Sequence, residues 1–581
     1  MSKVKQIFRE YWLVIFFAIL LSFVTASPQI YFRIEHRTDG VYQGIELLPD
    51  SPWSARVREV QDGHPNFGSI YYHEGKNNPY LFQPLGSMVV AYLGSLFNLD
   101  INDTLSLSRF LLPFLAFFLV YIFVFLLSRD KLVSLCCSSL LLFADSILNF
   151  SGLSRLFHGL SPDNFLRIAR PVNPAMIYIL LFGFLISFWL FCQKRDWRFG
   201  AFSSVLLGLN FYNYFYSWTY LFAFGGFLGL FFLFQRRWKE ALRIMAVYIG
   251  SLFVAVPYGL NFYRIINHPG YLETSFRNGV VFTHMPLFVG FFVLLGLFVF
   301  LWGFPHDNKD KYFLGLSLLL APFVTMNQQI LTGKVLQAAH YHWFFHKPMA
   351  IIFILIVVFG LLSSRNLIFY RKSLAVMIIT LSIFTGIFVQ ANSYLYDVRD
   401  GGEIAVERQK YGPIMKWLNE NGGKDSIVLS NDEISHLVVI YTPFDVFYHR
   451  AAMYSLTATR SRLLDVLFSF YRLRGVSSID VRKIFFAERG YISSNIYGMY
   501  YRELYGSYEA IPDDEIDDIV TLYKETLTIS RFVWLEEILE KYKVEYLVWD
   551  KRADPSWNLG QYPFLEEAAI FGDVAIYQFS Q

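Results

Sequence analysis

The segment Pro49-Asp50-Ser51-Pro52-Trp53-Ser54-Ala55-Arg56 sets a carboxylate, an indole and a guanidinium three residues apart. Residues at that spacing share one face of a helix. Asp50 could take a proton as a general base, and Trp53 and Arg56 could hold a ligand beside it. The same residues also suit a capped interfacial helix, with Asp50 as cap, Trp53 at the headgroup level and Arg56 reaching for water. Asp62-Gly63-His64-Pro65 follows in the same loop and adds His64 as a supporting group.

Two further polar stretches carry groups suited to anions. Residues 149–173 contain Arg155, His158, Asp163, Arg167 and Arg170. Guanidinium binds phosphate bidentately, so Arg167 and Arg170 are candidates for a phosphate-bearing ligand; lipid headgroups would satisfy the same arginines. Residues 327–348 interleave polar and apolar types and contribute Lys334 and His340. That alternation predicts a re-entrant helix lining a cavity. His340 and His342 are two apart and do not share a helix face, which argues against a zinc pair. The aromatic run Phe211–Tyr220 could stack on sugar rings or a polyprenyl chain, or form an interfacial belt.

What must position these loops is a membrane. Hydrophobic residues make up 55% of the 581 residues and charged ones 17%, against about 25% charged in soluble domains. Apolar runs fall at 11–29, 84–98, 109–127, 132–148, 174–192, 201–211, 217–234, 241–259, 286–303, 313–326, 349–363 and 373–391. The expected fold is a polytopic α-helical membrane protein of about 11–13 spans over residues 1–392, with a large loop at 30–83. The N-terminal run reads as a retained first span, because many more follow. Residues 395–581 have ordinary soluble composition and read as an α/β domain. Strands are expected at 426–430, 544–549 and 574–579, and helices at 432–441 and 532–542.

Basic residues near the N-terminus and in loops 129–131, 194–198, 236–239, 309–311 and 365–372 place these segments in the cytoplasm. The polar loops and residues 395–581 are then external. The count of spans before Arg129 closes if 84–98 does not cross fully or if one more span precedes it, and the opposite topology would place residues 395–581 in the cytoplasm. Net charge is +3, too small to imply a nucleic-acid partner. The three cysteines lie in apolar runs and read as core residues. The soluble region has no GxGxxG, Walker, HExxH or GxSxG pattern.

The order of these motifs resembles the GT-C superfamily of membrane glycosyltransferases. Asp50–Arg56 is similar to the first-loop acidic motif of oligosaccharyltransferase catalytic subunits. Asp62–Pro65, Asn77-Asn78-Pro79 with Gln83-Pro84, and Arg170-Pro171-Val172-Asn173-Pro174 resemble bacterial members. The resemblance implies a GT-C-like fold in the bacterial plasma membrane, with a periplasmic C-terminal domain. It implies transfer of a hexosyl or pentosyl group from a polyprenyl-phosphate or diphosphate donor to a glycan, lipid or protein acceptor, with inversion. Asp50 would act as base. Arg167, Arg170, Lys334 and His340 would stabilise the leaving phosphate, supported by Arg56, Trp53, His64 and Asp163. The peptide-recognition WWDYG motif is absent, and Asp163 stands alone where a DxD would be expected. This speaks against protein N-glycosylation and leaves a Mg or Mn requirement open. The rival readings are a lipid-linked glycan transporter or flippase, and a non-catalytic membrane protein of polysaccharide assembly. Few charges lie inside the spans, which favours surface chemistry over conduction.

Overall fold

A computed structural model describes residues 3–49, 52–400, 404–498 and 511–580. The chain is a multi-pass helical membrane protein with an α/β region at its C-terminus. Among the described residues, eight helices are long and apolar enough to cross a bilayer, beginning with Glu10–Thr38 and Ile101–Ser128 and ending with Ile368–Val398. Three shorter apolar helices accompany them: Leu85–Leu96, Lys131–Phe143 and Phe291–Gly303. Their ends carry local stop and start signals. Asp100, Asp130, Asp196 and Asn308 each cap the helix that follows by accepting from a backbone N–H.

The basic loops gather at one end of the bundle. Lys131 pairs with Glu10 at 2.7 Å, and Arg371 pairs with Asp130. Lys311 Nζ donates to the Leu127 carbonyl at 2.7 Å. Arg195 reaches Glu240 at 3.4 Å, and Arg237 pairs with Asp310. These contacts join all five basic loops to the N-terminal helix.

The helix Leu85–Leu96 belongs to the opposite end. The Leu85 N–H donates to Tyr212 at the C-terminus of the helix Trp197–Phe211. Its other end meets the start of Ile101–Ser128, where a Cβ on Gly94 would collide with Thr104. It therefore lies along one end without crossing. The chain leaves the first helix and begins Ile101–Ser128 at the same end, where Arg33 binds both Glu46 and Asp103. The span parity before Arg129 closes for this reason.

The α/β region covers that second end. Its five-stranded sheet runs in the order Asp445–Val446, Ile427–Leu429, Val544–Asp550, Val574–Phe579, Leu565–Phe571. The first two neighbouring pairs are parallel and the last two antiparallel. The expected strands and both expected helices form. Leu565–Phe571 was not legible, because as an edge strand it buries few of its side chains. The packed core is continuous from the bundle through Val57 and Tyr71 into Ile434, Val438 and Val548. Polar contacts reinforce this seam: Tyr441 Oη accepts from the Glu46 N–H at 3.0 Å, and the Val446 N–H donates to Tyr71.

Candidate functional site

A cavity of about 600 Å³ opens at this end of the bundle. Three of the polar loops singled out by sequence converge on it. Pro49 and Trp53 come from the first, Asp163, Arg167 and Arg170 from the second, and His340 from the third. Asp50, next to Pro49 in sequence, lies outside the described residues.

The first loop enters the site through the helix Trp53–Gln61, with Pro52 at the N-cap position. The Arg56 guanidinium packs over the Trp53 ring at 4.9 Å and over Phe82 at 4.2 Å. Arg56 is buried, so it does not reach out to water. It wedges the indole that lines the cavity. From the cover, His436 Nε2 lies 2.8 Å from the Pro49 carbonyl. A carbonyl only accepts, so Nε2 carries the proton. Burial holds the imidazole below its ordinary pKa, which keeps it neutral.

The second loop is locked by the last long helix. The Phe165 N–H donates to Ser393 Oγ at 3.0 Å and the Leu166 N–H to Gln390 Oε1 at 2.8 Å. Phe165 adopts a left-handed backbone with φ of 50°, a conformation that costs about 1–3 kcal/mol and persists where surroundings enforce it. The turn delivers Arg167 between Asp163 at 3.5 Å and Asp145 at 3.8 Å, with its guanidinium 4.9 Å above the Trp343 ring. Behind it, Asp145 also pairs at 3.1 Å with Lys347, whose side chain is fully buried. Arg170 is exposed to the cavity, and no carboxylate among the described residues lies within ion-pair distance of it.

The third loop differs from the expected re-entrant helix. Gly333, at φ of +69°, ends a single turn Gln329–Thr332. Lys334–Leu336 then pairs antiparallel with Val280–Phe282. Glycine alone enters that left-handed conformation cheaply, and the turn it makes redirects the chain into a strand. The span Ala339–Ser364 follows and brings His340 to the cavity. His340 Nδ1 hydrogen-bonds the Tyr214 hydroxyl, and its ring lies 5.0 Å from that of Tyr216. One turn onward, the Lys347 N–H bonds the His342 carbonyl five residues back. Such wide turns shift the helical register and are frequent at functional sites.

Two sequence candidates lie elsewhere. The Lys334 ammonium sits 5.3 Å over Phe282 on the strand pair. His64 bonds Asp425 at 3.0 Å and fastens the first loop to the cover. Residues that sequence reasoning passed over also line the cavity: Arg109, Gln29, Gln390 and Tyr214. Arg109 heads the apolar run 109–127 and lies inside the span Ile101–Ser128, and an ionisable residue inside a span is itself a functional signal. Tyr214 belongs to the aromatic run but was not distinguishable within it.

Of the described carboxylates here, Asp163 and Asp145 both face Arg167, and Asp145 also holds Lys347. Among the described residues no three His, Cys, Asp or Glu converge on one point.

No protein-family profile matches the chain, and no curated protein matches it. Among solved structures, the cryo-EM structure of the arabinofuranosyltransferase AftD from Mycobacteria aligns over 99% of this chain, with 12% identity and a TM-score of 0.46. The alignment covers 40% of that protein's own length.

Proposed function

We propose that this protein is a GT-C-type membrane glycosyltransferase. It moves a sugar from a polyprenyl-phosphate or diphosphate donor to an acceptor at the external membrane face. The observation that carries this reading is the convergence of Arg167, Arg170, His340 and Trp53 on one cavity at one end of the bundle. The five basic loops at the other end favour the cytoplasm for that end.

Ligand sites typically enclose about 300–1,000 Å³, and the cavity falls in this range. A phosphate at Arg170 would meet a guanidinium that has no ion-pair partner among the described residues. As the bond from the anomeric carbon to the phosphate oxygen breaks, its electron pair goes to the phosphate, and negative charge grows there. Arg170 and Arg167 stabilise that charge. The acceptor hydroxyl forms the new bond on the opposite face, which inverts the centre, and Asp50 takes its proton. Trp53 offers a ring face to the sugar. His340, held by Tyr214, keeps a fixed hydrogen-bonding atom toward the phosphate side.

A flippase would need polar groups along a route through the bundle. The polar lining of this cavity gathers at one end instead. The deciding measurement is transfer from a radiolabelled lipid-linked sugar by purified protein in nanodiscs. Asp50→Asn should lower turnover by at least about 100-fold, the range of general-base contributions, with donor binding retained. Full transfer by that variant removes Asp50 from the role. Movement of the lipid across vesicles with its sugar intact supports the transporter instead.

A further inference from the structure

A second cleft, of about 460 Å³, lies in the α/β region away from the membrane cavity. Aromatic side chains line it. Tyr491 is 48% exposed, and Phe470 packs against Tyr448 at 5.1 Å and Trp557 at 5.6 Å between ring centres. Tyr448 and Trp557 are buried behind, so Tyr491 and Phe470 are the rings with accessible surface.

The polar groups of the cleft are fixed before any ligand arrives. Glu488 accepts from both Arg474 nitrogens at 2.8 and 2.9 Å and from Tyr471 at 2.7 Å. Asn431 Nδ2 donates to Asp554 at 2.8 Å. Asp432 accepts from the Arg450 N–H at 3.0 Å and keeps its side chain about one-third exposed. Asp432, Glu488 and Asp554 outnumber Arg474, which disfavours a phosphate or other polyanion. What suits this lining is a neutral ligand with many hydroxyl donors and an apolar face. A pyranose or furanose ring has both: its C–H face meets the negative face of an aromatic ring, and its hydroxyls donate to carboxylates.

The cleft is coupled to the membrane cavity by one helix. Asn431 caps Asp432–Tyr441 at the cleft, and His436 on the same helix touches Pro49 at the cavity. Five residues of helix rise about 7.5 Å, which is the separation along this helix between the cap at the cleft and the residue that touches the cavity wall. We infer that this cleft binds an acceptor oligosaccharide and presents its growing end to the membrane cavity. The binding of sugar rests on the cleft alone; the acceptor role rests on the glycosyltransferase reading.

The test uses the full chain in detergent. It is screened on an array of neutral hexosyl and pentosyl oligosaccharides of two to eight units, with acidic peptides as a second panel. At least one oligosaccharide class should bind. Tyr491→Ala should weaken it by at least tenfold, and Ser556→Trp, which fills the cleft from an exposed position, should abolish it. Arg170→Ala should leave it unchanged. Binding that survives both cleft variants, or binding of peptides alone, overturns the inference. So does transfer activity with no oligosaccharide bound. Binding lost in both variants while the wild type transfers no sugar supports the cleft and removes the glycosyltransferase reading. Circular dichroism and size exclusion of the two variants separate loss of ligand from loss of fold.

Discussion

His436 donates from Nε2 to the Pro49 carbonyl at 2.8 Å, so a residue of the cover fixes the backbone next to Asp50. Its ring stacks with His449 at 5.7 Å, which in turn stacks on Tyr71 of the first loop at 4.1 Å. His436→Ala removes the donor and leaves a carbonyl to re-hydrate. The net worth of such a bond is about 0.5–1.5 kcal/mol, or about 2- to 13-fold in rate. We expect kcat to fall by that factor with donor KM little changed, and His436→Gln, which keeps an N–H donor, to recover part of it. An unchanged kcat in His436→Ala would show that the seam holds the loop without this contact.

Arg170 and Arg167 should respond differently to substitution. Arg170 has no carboxylate partner among the described residues, so Arg170→Ala should leave thermal stability near the wild type and cut kcat/KM for the lipid donor by about 100-fold, as for loss of one transition-state donor. Arg170→Lys should recover little, since an ammonium cannot make the bidentate contact. Arg167→Ala should in addition lower the unfolding temperature, because it strips a cation from between Asp163 and Asp145. Equal stability losses at the two positions would contradict this division.

The topology can be read by labelling. Cys136 and Cys137 are buried and Cys192 is partly so, leaving a low background for a membrane-impermeant maleimide. A cysteine at Glu420, whose side chain is 59% exposed, should label in intact cells, and one at Lys239 should label only after permeabilisation. The reverse pattern would put the cavity on the cytoplasmic face.

Glu59 is a source of pH dependence. It is buried with Lys76 at 2.7 Å, and Lys76 also holds Asp445 at 2.7 Å. Burial raises Glu59 from an ordinary carboxylate value to about 8, although Lys76 opposes the shift. Asp445 is raised by burial too. A raised carboxyl binds its proton more tightly folded than unfolded. Its contribution is therefore complete below the unfolded value and is lost as pH rises through about 8. The unfolding temperature should fall between pH 6 and pH 9, and Glu59→Gln should flatten that slope. Parallel profiles for the two proteins would exclude Glu59 as the cause.

The helices were legible from their apolar runs, and four of them from a polar cap as well, such as Asp130 before Lys131 or Asp196 before Trp197. The second loop was legible because its arginines are out of place beside a membrane. What the sequence could not show was pairing at a distance. Lys334 and His340 are six residues apart and looked equivalent, yet the Gly333 turn sends one onto a strand and the other into the cavity. His64 looked like site chemistry and proved a fastening to Asp425, a partner 361 residues away. Gln390 lies at the end of the apolar run 373–391 and Ser393 just past it, with no local signal to mark them, and they hold the backbone of the arginine loop. Arg109 carried a usable signal, a charge at the head of an apolar run.

The buried pair of Lys347 and Asp145 has a consequence for biogenesis. The two residues are 202 positions apart. At about 5–20 residues per second, Lys347 leaves the ribosome roughly 10–40 s after Asp145. Over that interval Asp145, just past the helix Lys131–Phe143, has Arg167 available but lacks the buried ammonium of Lys347. The bundle is thus completed only when a late helix delivers its ammonium, so the order of synthesis is coupled to the closing of the cavity wall behind Arg167.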